Sequence, residues 1–167
     1  MAYLNNIKSI SADFIQTTDG GEFAEGKFYL SRPGKFRWDY LKQPILIIAN
    51  GSHLAYIDRE LDQVSYVPIN DSIASIITRR NIRFSGDIEV TNFVKNEETM
   101  KISFIKSKDK NKDEGEFSFI FQNDPMKLLR IEVLDNSNTL ITISLFNIVF
   151  DSKIDSKLFV VKDPRLR

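Results

Sequence analysis

Residues Ser31 to Pro44 read S-R-P-G-K-F-R-W-D-Y-L-K-Q-P, and this stretch decides the fold. Pro33-Gly34 is a turn dipeptide: proline presets one backbone angle and glycine accepts a positive one. After it, Phe36, Trp38 and Tyr40 alternate with Lys35, Arg37 and Asp39. Period two with aromatics on one side is a strand with one buried face. Pro44 marks where that strand stops. The segment is therefore the corner of a β-hairpin, with Arg32 on the rim of its turn.

The same grammar continues outward in both directions. Upstream, Phe23 to Ser31 alternates, and Gly26 inside it predicts a bend or the close approach of another backbone. Asp19-Gly20-Gly21 separates it from a strand that begins near Ile10. Before that, Tyr3, Leu4, Ile7 and Ile10 recur at helical spacing, which predicts a short amphipathic helix that must dock its apolar side. Downstream, Ile45 to Ala49 is apolar throughout. Asn50-Gly51 is a strong hairpin signal, and it leads into strands over His53 to Asp58 and Asp62 to Val67. The period then changes. Asp71 can cap a helix whose stripe is Ile73, Ile76 and Ile77, ending near Asn81 with Arg79 and Arg80 at its negative pole. Strands resume over Asp87–Val94, Glu98–Lys106, Glu116–Gln122, Lys127–Leu134 and Thr139–Phe146. Lys157 to Val161 predicts one more short strand. There is no βαβ rhythm, so a parallel sheet is not expected. The pattern predicts a mainly β fold of about eleven antiparallel strands, as a curved sheet or barrel, with two short helices.

Composition agrees. The chain has 167 residues, 13 of them Phe, with 7 Gly and 5 Pro mostly between apolar runs, and it predicts a single domain over 1–167. Lys plus Arg and Asp plus Glu balance at 23 each, so bulk charge calls for no acidic or basic partner, nucleic acid included. The mixed charges of Lys106 to Glu116 predict a solvated loop. Cysteine is absent, which removes disulfides, thiolate metal sites, cysteine nucleophiles and lipid attachment through cysteine. No run approaches the roughly 20 apolar residues of a spanning helix. No signal peptide is visible, as in a mature exported chain or a cytosolic one.

Catalytic motifs are scarce. His53 is the one histidine, beside the Asn-Gly turn, with no nucleophile elbow of the G-x-S-x-G type. Asp58, Glu60 and Asp62 alternate about a turn but lack the pattern of a calcium loop. No phosphate loop occurs. No metal or cofactor is expected, and no enzyme activity. What remains is bulk apolar surface: Leu30, Phe36, Trp38, Ile48, Phe84, Phe104, Phe119, Phe121, Leu145 and Phe146. These side chains fill a packed core or line a cavity under the two helices, and the residue pattern alone leaves both open.

R-P-G-K-F-R-W-D-Y…Q-P, at Arg32 to Pro44, resembles the periplasmic outer-membrane lipoprotein carrier family (the Lol A type). F-I-Q-T at Phe14 to Thr17, E-G-K-F-Y-L at Glu25 to Leu30, the N-G turn, and L-A-Y-I-D…L-D-Q-V at Leu54 to Val64 are similar to its blocks in the same order. The specific match covers roughly Ile10 to Val67. Later segments match in layout, down to L-F-V-V-K-D-P near the end. The resemblance implies an unclosed, eleven-stranded half-barrel with a helical lid, built here from Leu4, Ile7, Ile73, Ile76 and Ile77. Under that lid it implies an acyl-chain cavity lined by Leu30, Phe36, Trp38, Ile48, Phe84, Phe104, Phe119, Phe121 and Leu145. It implies Arg32 as a latch on lid carbonyls and Phe36 as an inward residue that affects release.

The implied cargo is triacylated lipoprotein, taken from an inner-membrane lipoprotein-releasing ABC transporter and passed to an outer-membrane acceptor. The implied place is the periplasm of a Gram-negative bacterium, the signal peptide having been removed, and the implied state a monomer without cofactor. The short N-terminal helix and the ending Pro164-Arg165-Leu166-Arg167 depart from relatives with longer ends. Two other readings are a lipid- or lipoprotein-sensing module on the same half-barrel and an enzyme on an acyl or glycan substrate. The missing nucleophile and base disfavour the latter.

Overall fold

A computed structural model describes residues 2–69, 74–106 and 115–166. Among them, eleven strands form one open sheet: β1 (Ser9–Thr18), β2 (Phe23–Ser31), β3 (Lys35–Tyr40), β4 (Ile45–Asn50), β5 (His53–Asp58), β6 (Gln63–Pro68), β7 (Ile88–Lys95), β8 (Thr99–Lys106), β9 (Glu116–Asn123), β10 (Met126–Leu134) and β11 (Leu140–Phe150). Their order is β6-β5-β4-β3-β2-β1-β11-β10-β9-β8-β7, so β6 and β7 are the edges. Every neighbour but one is also a neighbour in sequence, as hairpin punctuation requires, and the exception joins β1 to β11. Helix α1 (Ala2–Asn6) precedes β1 and α2 (Ala74–Ile77) follows β6. Both end earlier than the periodicity predicts. Asp71 and Ile73 lie outside the described residues, as does most of the expected loop between Lys106 and Glu116.

The chain falls into two compact units. The first comprises Met1–Phe14, Ala24–Ile82 and Asn147–Arg167; the second comprises Ile15–Phe23 and Arg83–Phe146. In the first unit, Gly26 has the close approach expected of it. A Cβ there would stand 2.0 Å from the Asp39 carbonyl oxygen and 2.8 Å from the Phe14 ring. The space that glycine leaves lets Phe14 stack on Trp38, with centroids 4.1 Å apart. Lys157 to Val161 is not a strand. Ser156–Phe159 is a 3₁₀ turn, capped by Asp155, whose carboxylate accepts from the Lys157 amide at 3.0 Å. That turn puts Phe159 into a cluster with Leu46 and Ile48.

In the second unit, β8, β9 and β10 build an apolar face through the pairs Phe104 with Phe117, Ile102 with Phe119, and Phe119 with Ile131. The opposite face carries the pair Lys101 Nζ to Glu132 Oε2 at 2.6 Å and the buried hydroxyl pair Ser103–Ser118 at 2.8 Å.

Candidate functional site

The turn Arg32–Gly34 ends β2 and starts β3. Gly34 has φ +80, and a Cβ on it would meet the Gly51 Cα at 2.8 Å. Glycine is thus required twice over, for the angle and for the contact with the β4–β5 turn. Both ends of the turn hold distant backbone. The Arg32 amide donates to the Lys8 carbonyl at 2.9 Å, and the Gly34 amide to the Thr78 carbonyl at 2.9 Å. The Arg32 side chain completes the clamp. Nε donates to the Ile77 carbonyl at 2.9 Å, and Nη1 donates to the Ile7 carbonyl at 2.9 Å and to the Leu4 carbonyl. Short helices leave their last carbonyls without internal partners, at the negative end of the dipole. A planar guanidinium with several donors fits such a set, where an ammonium would not.

Burial lowers the Arg32 pKa from its ordinary value, because desolvation disfavours the charged form. The group remains a cation at neutral pH. Its hydrogen-bond partners among the described residues are neutral carbonyls, with no carboxylate. Each charge-assisted bond contributes about 1.5–3 kcal/mol before the cost of burying the guanidinium is subtracted.

Asn5 makes a second tie that the sequence reading passes over as a polar position on an amphipathic helix. Its Nδ2 donates to the Ile82 carbonyl at 3.1 Å, and its Oδ1 accepts from the Ile82 amide at 2.7 Å. One side-chain amide thus holds both sides of a residue 77 positions away. The partner is backbone, so no complementary side chain announces the pair in the sequence. Leu4, Ile7, Ile76 and Ile82 are buried, and Ile77 is half-buried.

Leu30, Phe36 and Trp38 share one face. The β2–β3 register sets Leu30 opposite Phe36 and Phe28 opposite Trp38. Ring centroids lie 5.6 Å apart for Phe28–Phe36 and 5.3 Å for Phe28–Trp38. All four side chains are buried. Ile48, expected with them, is on the other face. It pairs with Arg37, not with Phe36 or Trp38, and packs on Leu46 and Phe159. A wholly apolar strand gives no alternation from which its inward side can be read, which is why the sequence misplaces it.

In the second unit, Phe104, Phe119 and Phe121 lie on one face. Phe84 is 5.4 Å from Phe104, Phe104 is 5.1 Å from Phe119, and Phe119 is 6.4 Å from Phe121. Ile143 pairs with Ile131, itself the partner of Phe119, so Leu145, two residues on, joins that face. Phe146 points the other way and is 39% exposed, contrary to its expected place among the lining residues. His53 is exposed, its Nδ1 3.0 Å from Ser52 Oγ. Asp58 is occupied in its own turn, accepting from the Glu60 and Leu61 amides at 3.0 Å each.

With this geometry in view, a family model described as "Outer membrane lipoprotein carrier protein LolA" matches residues 5–162. The chain belongs to the LolA family. An outer-membrane lipoprotein carrier protein of Methylococcus capsulatus is 29% identical over 98% of this chain and 81% of its own length. An uncharacterized protein of Rickettsia prowazekii is 23% identical over 98% of this chain and 75% of its own. Among solved structures, a LolA superfamily protein from Nitrosomonas europaea aligns with TM-score 0.53 at 11% identity, covering 93% of this chain and 91% of that one. The last likeness is one of fold, and it matches the open antiparallel sheet described above.

Proposed function

We propose that this LolA-family protein is a single-domain periplasmic carrier. It takes triacylated lipoproteins released by an inner-membrane ABC transporter and delivers them to an outer-membrane acceptor. The observation that carries this reading is the Arg32 clamp. One half-buried cation joins backbone carbonyls of α1, of the residue after α1, and of α2, and it sits one turn from a strand pair whose inner face is aromatic and aliphatic.

The physics of the task explains why such a clamp is useful. Each acyl methylene left in water costs about 0.8 kcal/mol, so cargo must be hidden in transit. It must also be given up, so the closed and loaded states must lie close in energy. Hydrogen bonds from one guanidinium to neutral carbonyls form and break without stranding a carboxylate. In this reading, arriving acyl chains displace α1 and α2, and reclosure on Arg32 and Asn5 drives discharge. Leu30, Phe36 and Trp38 meet the chains in the first unit, and Phe84, Phe104, Phe119, Phe121 and Leu145 supply apolar surface in the second. The work is binding, not catalysis.

A release assay tests this. Spheroplasts making a labelled triacylated lipoprotein are incubated with the purified protein. The expected result is a soluble complex of protein and lipoprotein in the supernatant, which then discharges its cargo to outer-membrane vesicles. Lipoprotein that stays with the spheroplasts would refute the carrier reading. A soluble complex that never discharges would favour the sensing module.

A further inference from the structure

The face that holds Ile48 has a cleft of its own, of about 370 Å³. Its floor is aliphatic: Leu46, Ile48, Ile57 and Val64. Its rim is cationic: Arg37, Arg59, Lys157 and Lys162. The C-terminal segment forms one wall. Phe159 anchors that segment in the apolar cluster, Arg37 Nη1 donates to the Leu158 carbonyl at 3.0 Å, and Tyr66 Oη donates to Asp163 Oδ2 at 3.2 Å. Two carboxylates offset part of the rim charge. Asp62 is at the edge, and Asp39 bonds both Arg37 and Arg59, each at 2.9 Å. Neither Lys157 nor Lys162 has an ion pair among the described residues, so the rim keeps an excess of two positive charges.

We propose that this cleft binds a single-chain amphiphile with an anionic head group, such as a fatty acid carboxylate or an alkyl phosphate. An apolar floor under unpaired ammonium groups matches that chemistry at both ends. The volume lies near the low end of the roughly 300–1,000 Å³ of small-molecule pockets, so a triacylated cargo does not fit. An extended peptide does not suit it either. The aliphatic side chains of its floor offer no polar group to read a peptide. The site is separate from the Arg32 clamp and does not rest on the carrier reading.

Methyl NMR of the full protein tests the proposal, with laurate, dodecyl phosphate, dodecyltrimethylammonium and inorganic phosphate as probes below their micelle concentrations. Laurate, dodecyl phosphate or both are expected to shift the Ile48, Ile57 and Val64 methyls saturably, with at least tenfold tighter binding than dodecyltrimethylammonium. Laurate alone identifies a carboxylate ligand, and dodecyl phosphate alone a phosphorylated one. Inorganic phosphate is expected to shift none of them. The double variant Lys157→Glu/Lys162→Glu, at two exposed positions, is expected to weaken binding at least tenfold, while Arg32→Leu leaves it unchanged. Equal affinity for the cationic probe, an unaffected double variant, saturation by inorganic phosphate, or shifts confined to the Leu30 methyls would overturn the proposal.

Discussion

The sheet over β2 to β5 has an apolar cluster on each face, and the two faces are held by different means. The face with Phe28, Leu30, Phe36 and Trp38 is aromatic and adjoins a turn that grips α1 and α2 through hydrogen bonds to carbonyls. The face with Leu46, Ile48 and Ile57 is aliphatic and is partly covered by Phe159, with Arg37 and Asp163 pinning the C-terminal segment. Packing of the second kind is lost only when a side chain leaves the core. Clamping of the first kind can be exchanged bond for bond. On the proposed reading, one short set of strands carries a fixed cover and a removable one, and the removable one is marked by a half-buried cation with no carboxylate partner among the described residues.

The largest break should come at Gly26. Valine there drives a side chain into the Asp39 carbonyl and the Phe14 ring, so either the β2–β3 ladder or the Phe14–Trp38 stack must yield. We expect Gly26→Val to lose at least the ~3 kcal/mol at the upper end of overpacking costs, read from urea unfolding followed by Trp38 fluorescence. A loss below about 1 kcal/mol would mean that Phe14 has a second place to go. Next is Phe159→Ala, which empties the centre of the Leu46–Ile48 cluster. Buried aromatics truncated to alanine cost about 3–5 kcal/mol, and the lower end is expected because the C-terminal segment can detach on its own. Amide exchange should rise across 155–165 while Trp38 fluorescence stays unchanged. A shift of the Trp38 signal would show that the two faces are mechanically coupled.

These positions also show how far the sequence could be read. Three hairpin pairings were legible because their turns carry their own punctuation, Asp19-Gly20, Pro33-Gly34 and Asn50-Gly51, whereas the pairing of β1 with β11 has no such mark. Gly26 announced a close approach because glycine in a strand interior has few other uses. Faces were legible where polar residues alternate, as in β3, and illegible in β4, where Ile48 went to the wrong side. Leu145-Phe146 posed the same problem, since two adjacent apolar residues must point apart. The C-terminal segment looked like a strand by composition, but the Asp155 cap turned it into a 3₁₀ helix. The role of Asn5 was invisible because a side chain bonded to a distant peptide leaves no partner residue to find.

The clamp should respond in function more than in stability. Arg32→Leu removes a half-buried cation along with its bonds, so the relief of desolvation and the loss of bonds largely cancel in folding, and a change within about 1 kcal/mol is expected. On the proposed reading closure then loses its driving force, and about 1.4 kcal/mol of that corresponds to a tenfold change in the open-to-closed ratio. Transfer of bound lipoprotein to acceptor-containing vesicles should slow at least tenfold, with Arg32→Lys intermediate. Asn5→Asp keeps the acceptor for the Ile82 amide and loses the donor to its carbonyl, so a few-fold effect in the same direction is expected. Wild-type transfer by Arg32→Leu would remove the clamp from the mechanism. An Asn5 variant more impaired than Arg32→Leu would reverse the ranking of the two ties.

The smallest effect concerns acid and the fixed cover. Asp163 accepts from Arg165 Nη2 at 2.6 Å, from the Arg165 amide at 2.9 Å and from Tyr66 Oη at 3.2 Å. The Arg165 side chain, first among these, holds its carboxyl well below the usual carboxylate range. A depressed carboxyl pKa stabilises the folded form fully above the ordinary aspartate value, about pH 4, and that contribution is lost as pH falls toward the folded value. The attachment of the C-terminal segment should therefore be flat from neutral pH down to about pH 4 and loosen only below it. Meanwhile the Arg32 clamp, whose acceptors are carbonyls, should not titrate in that window. The Arg165 amide and Tyr66 ring resonances followed against pH would report the first, and the Ile77 and Lys8 neighbourhoods the second. Asp163→Asn should abolish the acid step without touching the clamp. A midpoint for the Arg165 amide at or above the ordinary aspartate value would show that Asp163 is not what pins the segment, leaving Phe159 and Arg37 to hold that face.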